Sequence, residues 1–528
     1  MTLLYVFKSF VASRRLMFKL RKAGYPMPEY NAALGHLLVL KEQMDALPLD
    51  CTTNTSFLKI SKQFRNGLFY FDLWPFANPL LIVNTPSAAT QLAQSPLDKP
   101  EQINYAFRHL TDGPNLFTMK EEPWKVWRVL FNPAFSASYM LELVPAIVEE
   151  SAVFCDLLHE HAQRATMFQL ENLTIKLTID VIGAVSVNSR WNYQLREHPL
   201  ASALRTQIEW TAFGSEMNPF DRYHPLRPLI LWYNNRRLGS LIHGEIMKRY
   251  KELRNSSLTT GDSAVKASRS IITLTLKEYL KEKDVSVAET PSKEFLEIAS
   301  AQLRLFLFAG HDTTSSALIY CYHALSMKPE ALQRLRAEHD EVFGDVSMTA
   351  ETIKKRPQLL NQLPYTLAVI KESLRLWPPA SCMRLGKPGV NIVDEDGTSF
   401  PTEGCYVWQI SLLLHRNPKY WKDPDSFIPE RWLVGPEDPL YPTKNAWRPF
   451  EFGPRSCLGQ TLAVMELKVV LVMTARKFDI RPAYDQWDQK HKSNRTRLAE
   501  GNRAYQVEGG GGGAHPAERY PCTVKLRE

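Results

Sequence analysis

Residues 292–327 form one long, mostly apolar run, SKEFLEIASAQLRLFLFAGHDTTSSALIYCYHALSM, directly after Pro291. The run is too polar at its edges for a membrane span, and its pattern predicts a helix buried at the centre of the protein. Further helices are expected at 329–344, 364–376 and 458–478, and strands at 79–84 and 404–410. The sequence therefore predicts a mainly α fold with a minor β part.

Composition and charge narrow the class of protein. Of 528 residues, 44% are apolar and 23% are charged, which is ordinary for a globular protein and excludes wholesale disorder. The net charge is +8 and the basic residues are scattered, so no nucleic-acid partner is indicated. A mild basic excess suits an anionic membrane surface or an acidic protein. The seven cysteines include no CxxC pair, which excludes a disulfide framework and a cysteine-based zinc site and indicates a reducing compartment.

The N-terminal stretch MTLLYVFKSFVASRRLMFKLRKAG is apolar but is interrupted by six basic residues. It therefore supports neither a transmembrane helix nor a signal peptide. Leu4, Phe7, Val11 and Phe18 can share one helical face with basic residues opposite, which is typical of a helix lying in a membrane interface. We expect residues 1–25 to be a short membrane-associating segment and 26–528 to be a single domain. The alternative is a solvated surface helix.

A lone cysteine lies in FEFGPRSCLG, residues 450–459. Most buried cysteines are only small apolar filler. Here Gly453 permits a tight turn that could aim backbone N–H groups at the sulfur of Cys457, and Gly459 lets the next helix approach something flat. Phe450 could pack beside the sulfur and exclude water. One thiolate is enough as the axial ligand of a haem, whereas a zinc site would need ligands from elsewhere.

Cations that could bind the two propionates of a haem occur at several places. Arg455 precedes the cysteine by two residues, and Trp124 and Arg128 lie four apart in EEPWKVWRVLF. Arg384 follows the Pro378–Pro379 break. Arginine suits bidentate binding of carboxylates.

Two further motifs contain acidic residues. AGHDTT, residues 309–314, places Asp312 and Thr313 in the apolar run, where they are costly unless paired or used. They form either a proton-delivery device beside a groove at Ala309–Gly310, or a helix kink with a capped acid. Glu372 and Arg375 in ESLR are three apart, and Arg431 in PERW could complete a buried cluster with them.

The order AGHDTT, ESLR, PERW, FEFGPRSCLG resembles the cytochrome P-450 family of haem-thiolate monooxygenases, and the pattern FxxGxRxCxG is matched in full. The resemblance implies a triangular helical prism with small β-sheets and a haem b between the long helix and the helix after Cys457. It implies that Cys457 is the axial ligand, with Phe450 beside it, and that Asp312 and Thr313 deliver protons to dioxygen. The propionates would be held by Trp124, Arg128, Arg384 and Arg455.

The stretches GPNLFTM, FSASYM and WQISLLLHRNPKYW are most similar to membrane-bound fungal members of natural-product pathways. Those relatives act on aromatic polyketides, as in sterigmatocystin and aflatoxin-type pathways. The resemblance implies a monomeric monooxygenase on the cytosolic face of the endoplasmic reticulum, with a small hydrophobic substrate and NADPH–cytochrome P-450 reductase as partner. The anchor is short or truncated compared with these relatives, which normally carry a long membrane helix.

Other functions stay open at this point. They are a haem-thiolate isomerase, dehydratase or peroxygenase, a fatty-acid or xenobiotic hydroxylase, a haem sensor without turnover, and a non-haem metalloprotein. Asp312 and Thr313 argue against the enzymes that need no reductase, which often lose this pair. By analogy with the family, we expect substrate contacts from residues 100–118, 207–232 and 509–516 and from the helix face around Phe306.

Overall fold

The computed structural model describes residues 2–64, 67–211, 224–258, 270–283, 290–492, 497–508 and 513–527. Within these ranges the α-helices are α1 Thr2–Lys22, α2 Leu37–Asp45, α3 Thr53–Ser61, α4 Pro86–Gln94, α5 Glu101–Thr111, α6 Glu121–Phe131, α7 Ala137–Arg164, α8 Leu170–Val187, α9 Pro199–Thr211, α10 Arg227–Leu258, α11 Ile271–Lys283, α12 Lys293–Met327, α13 Pro329–Phe343, α14 Thr349–Lys355, α15 Pro364–Leu376, α16 Ser411–His415, α17 Gln460–Thr474 and α18 Tyr484–Lys490. The strands are β1 Phe69–Phe71, β2 Leu80–Val83, β3 Phe168–Gln169, β4 Cys382–Leu385, β5 Asn391–Val393, β6 Ser399–Pro401, β7 Tyr406–Gln409, β8 Phe478–Pro482, β9 Gln506–Glu508, β10 Ala514–Pro516 and β11 Pro521–Leu526.

The long apolar run is helix α12, as predicted. Ser292 caps its first turn, because the Ser292 hydroxyl accepts a hydrogen bond from the backbone N–H of Phe295 at 3.2 Å. Helix α8 packs closely along α12, since a Cβ added at Gly310 of α12 would come within 2.8 Å of the Ile182 side chain on α8. The contact also includes polar groups, with the Thr178 hydroxyl donating to the carbonyl of His311 at 3.0 Å. The predicted central buried helix is therefore confirmed.

The other predicted elements agree with the structure within a few residues. Helix α13 ends at Gly344, whose φ of +61° suits a glycine, as the sequence indicated. The helix predicted at 458–478 is shorter, Gln460–Thr474. Residues 458 and 459, the first two of the predicted range, belong to the turn around Cys457, and its last residue, Phe478, begins strand β8.

The β part consists of small sheets. The largest has the strand order β1-β2-β7-β4, in which β2 and β7 are parallel and the other pairs are antiparallel. Both predicted strands belong to it. Strand β11 pairs with β3 and β8, while β5–β6 and β9–β10 are antiparallel pairs. The register places Arg384 opposite Val407, so this basic residue is fixed on a strand at the edge of the largest sheet.

Helix α1 lies against the body of the protein at its C-terminal half. Met17 and Leu20 are buried in a core that includes Leu81 and Val83 of β2, and Arg14 forms an ion pair with buried Asp72. The outer face carries the apolar side chains Leu4, Phe7 and Phe18, which are 59%, 63% and 68% exposed, whereas Val11 is partly buried. Across the described ranges, no helix combines the length and the apolar character needed to cross a bilayer.

Candidate active site

A tight turn holds Cys457 at the N-terminus of α17. The backbone N–H of Cys457 donates to the carbonyl of Phe450 at 2.8 Å, and that of Ser456 donates to the carbonyl of Gly453 at 3.1 Å. Gly453 has a φ of +77°, which favours glycine. The backbone N–H groups of Gly459 and Gln460 donate to the sulfur. The turn thus aims amide donors at the sulfur, as the two glycines suggested.

Opposing effects act on the pKa of Cys457, whose residue is accessible on one side although protein atoms surround it. Desolvation by the surrounding protein raises the pKa of the thiol, while the amides of Gly459 and Gln460 and the charge of Arg128 oppose this. Of the seven cysteines, all within the described ranges, Cys457 alone is exposed. Its sulfur is therefore accessible and surrounded by donors that favour a thiolate, but a bound metal ion is still needed to hold the thiolate firmly.

Three of the predicted propionate-binding residues meet beside this turn. Trp124 of α6 is buried, and the guanidinium carbons of Arg128 and Arg455 lie 5.9 and 4.6 Å from the centre of its ring. Arg128 donates to the carbonyl of Ser456 at 3.0 Å, which ties α6 to the cysteine turn. Arg455 donates to the carbonyl of Met119 at 2.9 Å. Both guanidinium groups therefore lie near the ring of Trp124, beside the cysteine turn.

Arg384 on β4 is the fourth predicted residue, and it is joined by Lys99. Arg384 is 4% exposed. The pKa of the Lys99 ammonium is lowered to about 8. Burial is the main cause, and the charges of Arg384 and Arg455 act in the same direction, while Cys382 and Glu451 oppose them. Nothing in the sequence around Lys99 singled it out, because its role depends on the strand that brings Arg384 beside it.

These residues fit a haem. In the described part of the chain, neither Lys99 nor Arg384 forms a salt bridge with a carboxylate, although both are surrounded by protein. Buried cations are costly without a counter-charge, and two propionates would supply it. Gly459 has no side chain, and a Cβ built at this position would lie 3.9 Å from Sγ of Cys457. The space beside the sulfur is therefore left open. The donor set therefore combines one thiolate with cations for two carboxylates.

Asp312 and Thr313 point in different directions from α12. Thr313 is partly exposed, and its hydroxyl donates to the carbonyl of Ala309 at 2.9 Å, one turn earlier. This is the back-bonding that the sequence left open. Asp312 is buried, lies 3.1 Å from Nε2 of His515 and accepts the backbone N–H of Gly513. Burial raises the pKa of Asp312, but His515 and these hydrogen bonds more than offset this and hold the pKa below its ordinary value.

Comparison with known proteins decides the family. The sequence model described as "Cytochrome P450" matches residues 54–507. Cytochrome P450 monooxygenase polC from Polytolypa hystricis is 38% identical over 97% of this chain and 92% of its own length. Cytochrome P450 monooxygenase acrF from Aspergillus aculeatus is 30% identical over 91% of this chain and 99% of its own. The crystal structure of the cytochrome P450DA heme domain shares the fold, with a TM-score of 0.71 at 22% identity over 96% of this chain and 98% of that one.

The chain belongs to the cytochrome P450 family. It is an oxidoreductase of the monooxygenase class, and its cofactor is a haem whose iron takes a cysteine thiolate as axial ligand. P450 monooxygenases need a redox partner that supplies electrons. The predicted mainly α fold with small β-sheets is confirmed.

The P450 also forms the acid–arginine cluster that the sequence suggested. Both carboxylate oxygens of Glu372 accept hydrogen bonds from Arg375, at 2.8 and 3.0 Å, and Arg431 adds a third at 3.0 Å. All three side chains are fully buried. Trp432 donates to the same carboxylate at 3.1 Å. The cluster fixes α15 to the segment at 428–432 that precedes the cysteine turn.

The expected substrate contacts on α12 are the residues around Phe306. Phe306 is buried, and its ring packs edge-on against Phe131 and Phe135, so substrate contact from the helix face around Phe306 stays a prediction. The ring centre of Phe308, two residues later, lies 5.9 Å from that of Phe107 on α5, which joins α12 to the predicted region 100–118. Phe306 and Phe308 lie on different faces of α12, because two positions along a helix turn a side chain by about 200°.

The remaining predicted contact regions are described only in part. Residues 212–223 and 509–512 lie outside the described residues. At the start of α10, Leu229, Trp232 and Tyr233 are 62%, 52% and 63% exposed, so this part of the region 207–232 faces outward. Gly513 and His515 of the region 509–516 contact Asp312 directly.

Proposed function

We propose that this P450 inserts one oxygen atom from O2 into a hydrophobic natural-product intermediate, with an aromatic polyketide favoured over a terpenoid. The relatives polC and acrF are both monooxygenases of fungi, and each aligns along most of its length. The stretches GPNLFTM, FSASYM and WQISLLLHRNPKYW support a natural-product pathway. Electrons would come from NADPH through a separate NADPH–cytochrome P450 reductase.

The observation that carries the proposal is the cysteine turn with its surrounding cations. Cys457 would supply the axial thiolate, steadied by the amides of Gly459 and Gln460. Phe450, whose carbonyl accepts the Cys457 N–H, would shield the sulfur from water. Burial lowers the pKa of Lys99, and a carboxylate placed next to the ammonium group would raise this pKa again. Lys99 and the carboxylate would then stabilise each other as an ion pair. The cofactor carboxylates would be held by Trp124, Arg128, Arg384, Arg455 and Lys99.

When bound, the haem supplies the chemistry of O–O bond cleavage, which a thiolate ligand favours. The chain itself would orient the substrate and supply protons. The partly exposed hydroxyl of Thr313, fixed by its bond to the Ala309 carbonyl, is the group that would pass a proton into the reaction space. Asp312, the buried residue before Thr313 on α12, would provide that proton.

The cellular setting is part of the same proposal. Residues 1–25 would rest on the cytosolic face of the endoplasmic reticulum membrane, and 26–528 would act as one catalytic domain. The exposed side chains of Leu4, Phe7 and Phe18 support the membrane contact. The mild positive charge suits an acidic reductase surface, and the protein would work as a monomer.

Comparative mass spectrometry of metabolites from the source organism, with and without this gene, tests the proposal. We expect one compound to be lost and a precursor lacking one oxygen atom to accumulate. A difference of two hydrogens would instead indicate desaturation or ring coupling. No change in an expressing strain would contradict the natural-product assignment and direct the search to fatty acids and xenobiotics. Turnover of the purified enzyme without NADPH and reductase would contradict the monooxygenase cycle and favour an isomerase, dehydratase or peroxygenase.

A further inference from the structure

A chain of three titratable side chains leads away from Asp312. Nε2 of His515 lies 3.1 Å from Oδ1 of Asp312, and Nδ1 on the other side of the ring lies 3.4 Å from Oε1 of Glu171. The residues come from three separate elements, α12, β10 and α8. Each side chain is at most 11% exposed. The imidazole thus bridges two carboxylates in the interior.

All three side chains line the inner end of one cavity, which measures about 400 Å³. Its outer rim includes the exposed side chains of Glu209 and Arg519, so the cavity reaches the surface. Among the described residues, Nδ1 of His515 is buried yet has no hydrogen-bond partner, because the Glu171 oxygen is at ion-pair distance without the alignment of a hydrogen bond. A polar cavity of this size has room for water to reach that atom.

The position of the imidazole is fixed by its backbone. The N–H of Ala514 donates to the carbonyl of Pro379 at 2.9 Å, and the carbonyl of Ala514 accepts the hydroxyl of Ser316. A Cβ at Gly513 would come within 2.3 Å of Asp312 Oδ2, so only glycine permits this approach. Strand β10, together with Gly513 before it, therefore holds His515 against the acid of α12.

The charges around His515 favour its protonated form. Burial lowers the pKa of His515, but Asp312 and Glu171 raise it to about 9, against a smaller opposing effect of Arg205. His311, which neighbours Asp312 on α12, is buried, and burial lowers its pKa. Burial raises the pKa of the Glu171 carboxyl, against smaller lowering effects of His515 and Arg519. A protonated imidazole between two carboxyl groups directs an N–H toward each of them, so it can release one proton and take up another afterwards.

We propose that Glu171, His515 and Asp312 form a proton-uptake chain that carries protons from the surface cavity to the acid–threonine pair of α12. The proposal rests on the proposed role of Asp312 in proton delivery. The protonated ring releases its Nε2 proton to Oδ1 of Asp312 and keeps the proton on Nδ1. Rotation of the neutral ring or tautomer exchange then places that proton on Nε2, and the vacated Nδ1 accepts a proton from cavity water or Glu171, which restores the imidazolium. No electron moves, and each proton delivered at Asp312 is replaced from solvent. His515 acts through Asp312 and is a positioning and relay residue.

The test is His515→Gln, with Glu209→Gln as a control on the rim of the same cavity. Glutamine keeps an N–H donor near the position of Nε2, so it can still orient Asp312, but it cannot relay a proton. In the reconstituted holoenzyme with NADPH and reductase, we expect the product formed per NADPH to fall roughly tenfold in H515Q, with a larger solvent deuterium isotope effect and more hydrogen peroxide. We expect E171Q to change in the same direction and E209Q to match wild type.

A companion variant, Asp312→Asn, separates the two proposals. If D312N is uncoupled while H515Q keeps wild-type coupling and isotope effect, the relay is wrong and the role of Asp312 stands. If D312N itself stays coupled, the proposed role of Asp312 fails. A second readout does not need turnover. In the CO-bound holoenzyme, the histidine ¹³C NMR signal that disappears in H515Q should titrate near pH 9, and it should titrate at least one unit lower in D312N. A signal that titrates near 6.5 in wild type would overturn the proposal.

Discussion

At the level of single residues, Cys457 is held by its neighbours in a way that no other cysteine of the chain shares. It is exposed, it accepts two backbone N–H groups and it lies beside Arg128. We expect Cys457→Ala to abolish the long-wavelength band of the CO-bound ferrous enzyme that reports a thiolate ligand. Cys51→Ala, at a partly buried cysteine whose thiol pKa burial raises to about 11, should keep the band. A band that persists in C457A would overturn the ligand assignment.

Thr313 offers a second test at this scale. Its hydroxyl is partly exposed and fixed by the Ala309 carbonyl, so Thr313→Ala removes a proton donor without removing a packed side chain. We expect haem binding to remain, while product per NADPH falls roughly tenfold and hydrogen peroxide rises. Thr314→Ala changes the next residue, which is buried on a different face of α12, and should stay coupled. Equal coupling in both variants would contradict the role of Thr313.

The residues that the sequence could predict are those whose neighbours in the chain carry the signal. Cys457 is recognisable because Gly453, Arg455 and Gly459 surround it within seven residues. His515 is not, because its partner Asp312 is 203 residues away, and neither has a local pattern that indicates the other. Lys99 could not be recognised either, because Arg384 and Arg455, the basic residues that act on its pKa, are distant from it in the sequence. For Phe306, apolar periodicity indicates a buried position but not which buried face of the helix the side chain occupies.

At the level of elements, the Glu372 cluster joins α15 to the segment before the cysteine turn. We expect Glu372→Ala to cost about 3–5 kcal/mol, because Arg375 and Arg431 would be left as buried charges without a partner. The variant should yield mostly haem-free or aggregated protein, measured by the haem-to-protein absorbance ratio and thermal unfolding. Glu297→Ala, which breaks the exposed pair with Lys293 at 3.8 Å, should cost less than about 0.5 kcal/mol. A stable, haem-loaded E372A would contradict the structural role.

His515 on strand β10 should give the protein a pH-dependent stability. The folded pKa of about 9 lies above the ordinary value of 6.5, so the stabilisation is complete below about pH 6.5 and is lost as the pH rises through 9. A shift of this size is worth about 3 kcal/mol at most. We expect the melting temperature of wild type to exceed that of H515Q most near pH 6 and to approach it at pH 9.5. A difference that is constant across this range would show that His515 is not charged in the fold.

Helices α12 and α13 were easier to predict than the position of strand β10. The apolar periodicity of α12, the proline that opens α13 and the glycine that ends it are local signals, and the structure matches them within two residues. Strand β10, which carries His515 of the chain from Asp312, had only the glycines before it as a signal. Its position is decided by bonds to Pro379 and Ser316, which are distant in sequence, so no local pattern could have located it.

For the whole molecule, the position of α1 relates the fold to a membrane surface. Met17, Leu20 and the Arg14–Asp72 ion pair attach the C-terminal half of the helix to the core, while Leu4, Phe7 and Phe18 are exposed. The helix is thus attached to the protein and still presents a stripe of apolar side chains outward. Exposed basic side chains, such as Lys8 and Arg15, flank the stripe and suit anionic lipid headgroups.

We therefore predict that the triple variant Leu4→Ser, Phe7→Ser, Phe18→Ser binds anionic phospholipid vesicles roughly a hundredfold more weakly than wild type. Each side chain should contribute about 1 kcal/mol by leaving water at the interface. Vesicle co-sedimentation at fixed salt measures the change. The matched control is Met327→Ser, Met348→Ser, Leu498→Ser, which removes three exposed apolar side chains outside α1 and should bind like wild type. Because Met17 and Leu20 are kept, both variants should fold, and equal binding of the two would mean that α1 is a solvated surface helix.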